Sequence, residues 1–181
     1  MQQPIRLSSL LLLFPLVLAG CATMDADQCR QADWRAVGLR DGQNGEPMAM
    51  MERRAKDCAD NQVRMDTARY LEGRNQGLPQ FCRVELAARF GLEGKPYHGV
   101  CPPAIDAEFK RRHAVGWEVH QARAAMRDLD TRQQVAESRL AKAKTDEDRR
   151  RARQDLRELD GDIGRARDRV RDAEWNFDRL R

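Results

Sequence analysis

The sequence predicts an all-α protein, in which a small disulfide-stapled helical domain is followed by a long antiparallel coiled-coil hairpin. Four cysteines and most of the glycines and prolines fall within residues 29–103, as expected for short helices joined by turns. From Ala104 onward there is no proline or cysteine, and apolar residues recur at alternating steps of four and three. We therefore place the domain at 29–103 and the hairpin at 104–181.

The N-terminus has the features of a lipoprotein signal peptide. Arg6 supplies a positive charge, and Leu10–Leu18 is an apolar stretch, interrupted by Pro15, that is too short to span a membrane. The stretch ends in Leu18-Ala19-Gly20-Cys21, which resembles the lipobox of bacterial lipoproteins. The sequence thus predicts cleavage after residue 20 and lipidation of Cys21. Ordinary secretion is the alternative, but it would not require a cysteine at this site.

The residues after the lipid attachment site indicate where the protein resides. Ala22 and Thr23 follow Cys21, and neither is an aspartate that would resemble an inner-membrane retention signal. The expectation is therefore a lipid-anchored protein of the outer membrane that faces the periplasm, with residues 21–28 as a lipidated tether. Stable anchoring of this kind needs more than one acyl chain.

The charge pattern excludes one class of partner. Lys and Arg number 33 and Asp and Glu 29, and the two signs are interleaved along the chain. A nucleic-acid-binding surface needs a basic patch, so no nucleic-acid partner is expected.

The remaining cysteines form an even set of four, for which three pairings exist. Cys29 and Cys58 lie almost equally far on either side of the turn signal Asp41–Gly45, and Cys82 and Cys101 flank a loop rich in glycine. We predict the disulfides Cys29–Cys58 and Cys82–Cys101. A metal site is disfavoured because the chain has no CxxC pair.

Capping residues divide the domain into short helices. The sequence predicts one helix from Asp27 to about Arg40, a second that starts at Pro47 and ends near Cys58, and a third capped by Asp66 and closed by Leu78-Pro79. A short helix is expected within the loop over 85–90.

Two apolar seams define the hairpin, each with alternating four- and three-residue steps. The first consists of Val115, Val119, Ala122, Met126, Leu129, Gln133, Ala136, Leu140 and Ala143, and the second of Ala152, Leu156, Leu159, Ile163, Ala166, Val170, Ala173, Phe177 and Leu180. Thr145–Asp148 lies between them as a cap and an acidic first turn, so the chain is expected to fold back there. The alternative is one long helix that dimerises.

Aromatic residues precede small residues at helical spacing in three places. Trp34 is followed by Gly38 and Gly42, and Tyr70 by Gly73 and Gly77, while His113 and Trp117 flank Gly116. Spacing of this kind predicts that helices approach one another closely.

Three motifs together resemble a family of uncharacterised bacterial lipoproteins that carries a domain of unknown function. They are Cys29-x3-Asp33-Trp34-x3-Gly38-x2-Asp41-Gly42-x2-Gly45, Tyr70-Leu71-x-Gly73-Arg74-x2-Gly77-Leu78-x2-Phe81-Cys82, and Tyr97-x-Gly99-Val100-Cys101-Pro102. The resemblance covers about residues 25–120. It implies a secreted lipoprotein and is consistent with the cysteine framework, but it implies no activity.

Candidate chemistry is sparse. Trp34, Tyr70 and Tyr97 are a possible ligand surface, although aromatic residues are more often core. His113 and His120 lie seven residues apart, whereas chelation from one helix favours a spacing of four, so semi-buried histidines are expected rather than a metal site. Asp33 is interpreted as a capping residue and Asp41 as a turn former.

These observations lead to two functional hypotheses. The first is a membrane-anchored envelope lipoprotein with a structural or protein-interaction role, whose partner is an envelope protein that binds the coiled coil. The second is a small periplasmic binding module for peptidoglycan or another envelope ligand. No nucleophile–base set is visible, so neither an enzyme nor a cofactor is expected.

Overall fold

A computed structural model describes residues 22–180, and that part of the chain is helical with no strand. The predicted all-α class is confirmed. The signal peptide over 1–20 and the lipidation site Cys21 lie outside the described residues. The described helices are α1 (Ala26–Gln31), α2 (Trp34–Asn44), α3 (Met48–Asp60), α4 (Thr67–Phe81), α5 (Val84–Leu92), α6 (Pro103–Lys142) and α7 (Asp146–Asp178).

Helices α2 and α4 pack backbone to backbone through glycines. A Cβ atom on Gly38 would lie 1.9 Å from the carbonyl oxygen of Tyr70, and one on Gly73 would lie 1.9 Å from that of Arg35. No side chain can be added at such distances without separating the helices. The predicted close approach is confirmed, and together with α1 and α3 this helix pair forms the first module.

Helices α5 and α6 meet in the same way and form the second module. A Cβ atom on Gly116 would lie 1.8 Å from the carbonyl oxygen of Ala88, and one on Gly91 would lie 2.1 Å from that of His113. The domain therefore contains two helix crossings that depend on the absence of side chains.

The two disulfides pair as predicted, one within the first module and one between the first module and the second. Cys29–Cys58 connects α1 to α3 with a Cα–Cα distance of 5.4 Å, and Cys82–Cys101 connects the end of α4 to the loop before α6 at 5.5 Å. All four cysteines are buried within the core clusters.

Helix boundaries differ from the sequence prediction near residue 33. The predicted helix from Asp27 to Arg40 is wrong, because Asp33 accepts hydrogen bonds from the backbone N–H groups of Arg35 and Ala36 and so starts α2 afresh. Helix α2 then continues to Asn44 and ends at Gly45, which has a φ of 69°. The predicted turn at Asp41–Gly45 is therefore mostly helix.

The end of α4 is a smaller correction. The helix does not close at Leu78-Pro79 but runs to Phe81, with Pro79 in its last turn. The predicted cap at Asp66 is confirmed, since its side chain accepts from the backbone N–H of Arg69. The short helix expected within the loop is also present, as α5.

The hairpin prediction is confirmed, and the alternative of one long helix is wrong. The chain folds back before Thr145, whose hydroxyl accepts a hydrogen bond from the backbone N–H of Asp148 at 3.1 Å. Leu129, Ile163 and Ala166 form a buried cluster across the seam. Every predicted seam residue is buried or half-buried.

An ion pair shows the register of the hairpin. Arg123 of α6 donates to Glu174 of α7 at 2.6 Å, and this pairing matches the predicted juxtaposition of the two seams. Helix α6 starts at Pro103, and Phe109 fills the core of the second module. The first turns of α6 thus belong to the domain, and the rest belongs to the hairpin.

Candidate functional site

The folded body begins close to the predicted lipid attachment site. The backbone N–H and the hydroxyl of Thr23 both donate to a carboxylate oxygen of Asp57 at 2.6 Å, and Met24 is buried. These hydrogen bonds from Thr23 lower the pKa of the Asp57 carboxyl. The chain is therefore already hydrogen-bonded to the folded body two positions after Cys21.

A buried carboxylate links three helices of the first module. Asp41 is 2% exposed and accepts two hydrogen bonds from the Arg54 guanidinium, both at 2.9 Å, and one from the Tyr70 hydroxyl at 2.7 Å. Burial, reinforced by the bond to Asp41, raises the pKa of Tyr70. The interpretation of Asp41 as a turn former is wrong, since its oxygens are occupied by buried donors that hold α2, α3 and α4 together.

Arg74 adds a buried cation to this module. Its guanidinium donates to the backbone carbonyl of Glu46 at 2.7 Å, and this bond ties α4 to the residues after α2. Its Nε is the one buried side-chain nitrogen or oxygen in the described part of the chain without a hydrogen-bond partner. The sequence contains the residues of this network, but only the fold shows that they meet.

The possible ligand surface of Trp34, Tyr70 and Tyr97 does not exist as one surface. Trp34 is 7% exposed and Tyr70 is 0% exposed, and both lie in the core of the first module. Tyr97 packs against the core of the second module, donates to Asp106 and accepts from the backbone N–H of Cys101. Burial and the bond to Asp106 raise the pKa of Tyr97 to about 12.

The histidines are part of an aromatic row in the second module. The rings of Tyr97, His113, Trp117 and His120 follow one another at centroid distances of 5.9, 5.8 and 5.5 Å. Nε2 of His113 bonds to the carbonyl of Lys95 at 2.7 Å, so this side chain ties α6 to the chain after α5. Within residues 22–180 no group of three His, Cys, Asp or Glu side chains is arranged to hold a metal ion.

A cleft of about 270 Å³ lies where the two modules face each other. Its floor includes the buried rings of Phe81 and Phe90, and Lys95 stands over the Phe90 ring with Nζ 4.9 Å from the centroid. Gln43 and His98 are on its exposed rim. This combination of an aromatic floor and separate polar groups offers contact surface but no nucleophile beside a base.

The two most exposed large apolar side chains of the described residues lie on the hairpin. Trp175 of α7 is 64% exposed and Val135 of α6 is 46% exposed. The sequence prediction did not single out Trp175, although the signal was available: it lies midway between the seam residues Ala173 and Phe177 and so faces away from the seam. Tryptophan is enriched among the residues that dominate protein–protein contacts, so this ring is the candidate contact residue of the hairpin.

A known protein family matches the domain but not the greater part of the hairpin. A family model described as "Protein of unknown function (DUF2799)" matches residues 33–118, which run from the cap of α2 into the first half of α6. The predicted resemblance to a domain of unknown function is confirmed for that segment. No curated protein and no solved structure matches the chain.

None of the helices between residues 22 and 180 is long and apolar enough to span a bilayer.

Proposed function

We propose that this chain is a lipid-anchored lipoprotein of the bacterial envelope with a structural or protein-interaction role and no catalytic activity. The observation that carries the proposal is the hairpin. Its helices of 40 and 33 residues extend beyond the matched domain, bury their seams against each other and leave a charged outer surface with an exposed tryptophan. A surface of this kind suits contact with another protein.

The N-terminal region supports the anchoring part of the proposal. The lipobox-like sequence ends at Cys21, and Thr23 is bonded to Asp57 of the folded body. A lipid on Cys21 would therefore hold the first module directly at the membrane surface. The two disulfides suit an oxidising compartment, as the periplasm is. We place the protein at the outer membrane, facing the periplasm, because Ala22-Thr23 follows the cysteine.

The burial of Trp34 and Tyr70 favours this role over a ligand-binding module for peptidoglycan. A sugar-binding platform needs an exposed ring, and neither of these rings is accessible. The cleft beside Phe81 offers little more, because its aromatic floor is itself buried.

The first test concerns the anchor. Mass analysis of the mature N-terminus should show a diacylated Cys21 in the natural chain, whereas Cys21→Ser should prevent lipidation and release the protein from membranes. Density fractionation should place the natural chain with the outer membrane. An unmodified Cys21 thiol, or fractionation with the inner membrane, would contradict the corresponding part of the proposal.

The second test concerns the interaction surface. Crosslinking in intact envelopes should capture the chain in complexes that Trp175→Ala weakens and Trp175→Phe largely preserves, because an aromatic ring is retained. Trp117→Phe is the matched control, because this half-buried ring stacks inside the second module. Capture that is equal in all variants would mean that the outer surface of α7 is not the interaction site.

A further inference from the structure

A third row of residues runs along α7 on the side that faces away from α6. The row has alternating steps of four and three, and all of its members are exposed. We call it the outer row, and it consists of Arg150, Gln154, Arg157, Gly161, Gly164, Asp168, Arg171 and Trp175. A helix with a second periodic row of this type has a second face on which another helix can pack.

The centre of the outer row is open. Nothing lies within 4 Å of a Cβ atom placed on Gly164, and only the tip of the Arg165 side chain approaches one on Gly161, at 3.5 Å. A glycine inside a helix destabilises that helix relative to alanine. At the two helix crossings of the domain, glycines permit backbone contact, whereas those of the outer row have no such contact within the monomer.

The row also contains one pair of opposite charges, Arg157 and Asp168, that can meet across two copies. When two copies of α7 are placed antiparallel about a two-fold axis between Gly161 and Gly164, Arg157 lies opposite Asp168 of the second copy. The same operation places Arg150 opposite the exposed ring of Trp175, an arrangement suited to a cation–π contact, and Gln154 opposite Arg171. Arg150 and Arg157 have no ion pair among the described residues, and Asp168 has one ion pair, with the exposed Arg171 of its own helix.

We propose that the outer row of α7 binds a second copy of this chain in an antiparallel, two-fold symmetric contact. This inference rests on the proposed function and deepens it by naming one partner of the interaction surface. A two-fold contact requires a self-complementary surface, and the pairing of Arg157 with Asp168 satisfies that requirement twice in each dimer.

The size of the contact sets the expected affinity. The row from Arg150 to Trp175 is about 38 Å long at 1.5 Å per residue, and a helix is about 10 Å wide. Such a contact buries on the order of 800 Å² in total, which is typical of weak, reversible association rather than of an obligate dimer. Anchoring two copies in one membrane raises their effective concentration and favours the contact.

The experiment is sedimentation equilibrium of the full chain in a density-matched non-ionic detergent, from roughly 1 to 100 μM to bracket a micromolar affinity. We expect a reversible monomer–dimer equilibrium. Arg157→Asp should raise the dimer dissociation constant about tenfold or more, because two attractive pairs become repulsive. Arg157→Asp combined with Asp168→Arg should restore it to within about threefold, since the pairs are re-formed with reversed charge.

Arg127→Asp is the matched control, because it changes the same charge on an exposed residue of α6 and should leave the equilibrium unchanged. Circular dichroism of each variant verifies that the helices are retained. A natural chain that stays monomeric throughout, or a dimer that ignores Arg157→Asp or is not restored by the double change, would overturn the proposal.

The two proposals fail in different ways. Absence of a lipid on Cys21 would refute the anchoring function and leave the dimer measurement unaffected. A monomeric chain that is lipidated and captures a different envelope protein through Trp175 would refute the second copy as partner, while the interaction role would stand.

Discussion

The helix crossings of the domain and the seam of the hairpin achieve close helix packing by opposite means. At the crossings, glycines such as Gly38 and Gly116 let carbonyl oxygens approach to within 2 Å of where a Cβ would be. In the hairpin, side chains such as Leu129 and Ile163 occupy the space between the helices. The domain is therefore sensitive to added atoms, and the hairpin is sensitive to removed ones.

The two regions also differ in what supplements their packing. The domain has two disulfides and a buried network around Asp41, so its small core is reinforced by covalent and charge-assisted links. The hairpin has neither, and its ion pair between Arg123 and Glu174 is exposed. Exposed ion pairs contribute less than about 1 kcal/mol, so the seam itself must hold the hairpin.

The largest effect is expected when a methyl group is added at a crossing. Gly116→Ala places a Cβ 1.8 Å from the carbonyl oxygen of Ala88, and the backbones must separate to accept it. We expect a loss of about 3 kcal/mol or more in the free energy of unfolding, measured by urea denaturation.

Gly164→Ala is the matched control within the hairpin. Its Cβ meets nothing within 4 Å, so the higher helix propensity of alanine should raise stability by roughly 0.5–1 kcal/mol at concentrations where the chain is monomeric. Equal effects of the two changes would show that the crossing does not depend on glycine.

The disulfides should follow in magnitude. Replacing Cys29 and Cys58 together by serine should cost about 3 kcal/mol, and so should replacing Cys82 and Cys101, because the bridged residues are separated by 29 and 19 positions. Thermal unfolding under non-reducing conditions measures both. Reducing agent should lower the melting temperature of the natural chain and leave a chain without the four cysteines unchanged.

A smaller effect is expected from removal of atoms in the seam. Leu129→Ala should lower the free energy of unfolding by about 2–3 kcal/mol, because Leu129 is 8% exposed and packs in the buried cluster. Leu156→Ala should lower it by about 1 kcal/mol, because Leu156 is only half-buried. Val135→Ala, on the exposed outer surface, should be within about 0.5 kcal/mol of the natural chain. A Leu129→Ala variant as stable as Val135→Ala would show that the seam is not packed.

The hairpin was the more predictable region. Its seams follow a strict periodicity that any chain of this type must satisfy to bury apolar residues, and the cap at Thr145 depends only on neighbours in sequence. The disulfide pairing was also predictable, because the two cysteines of each pair lie on either side of a turn or loop signal in the sequence. The glycine spacing likewise predicted that helices cross closely, although it did not indicate which helices pair.

The domain was less predictable where distant residues decide local structure. Asp41-Gly42 is a common turn sequence, yet here it is helical, because Asp41 binds Arg54 and Tyr70, and Gly42 permits contact with α4. No local pattern contains those partners. For the same reason the sequence left Tyr70 as a candidate for a ligand surface, whereas the structure shows it in the core.

The last prediction uses the chain's only two tyrosines, which report on the two modules separately. Tyr70 is fully buried beside Asp41, and Tyr97 is half-buried beside Asp106. At neutral pH, Tyr97→Phe should lower the free energy of unfolding by about 1 kcal/mol. Tyr70→Phe should lower it somewhat more, because the carboxylate oxygen of Asp41 that loses its hydrogen bond is buried.

Their titration distinguishes the modules further. Both pKa values lie above the ordinary value of 10.0, for Tyr97 at about 12, so the folded protein keeps both protons where the unfolded chain loses them. Their stabilising contribution is therefore complete below pH 10 and declines as the pH rises toward the folded values. The ultraviolet absorbance of the phenolate should show no titration in the folded protein near pH 10, then Tyr97 near pH 12 and Tyr70 only on unfolding. Urea-unfolded protein should titrate both groups near 10, and Tyr97→Phe should remove the earlier step. A folded protein in which half of the phenolate absorbance develops at pH 10 with unchanged helix content would show that one module is open to solvent at its tyrosine.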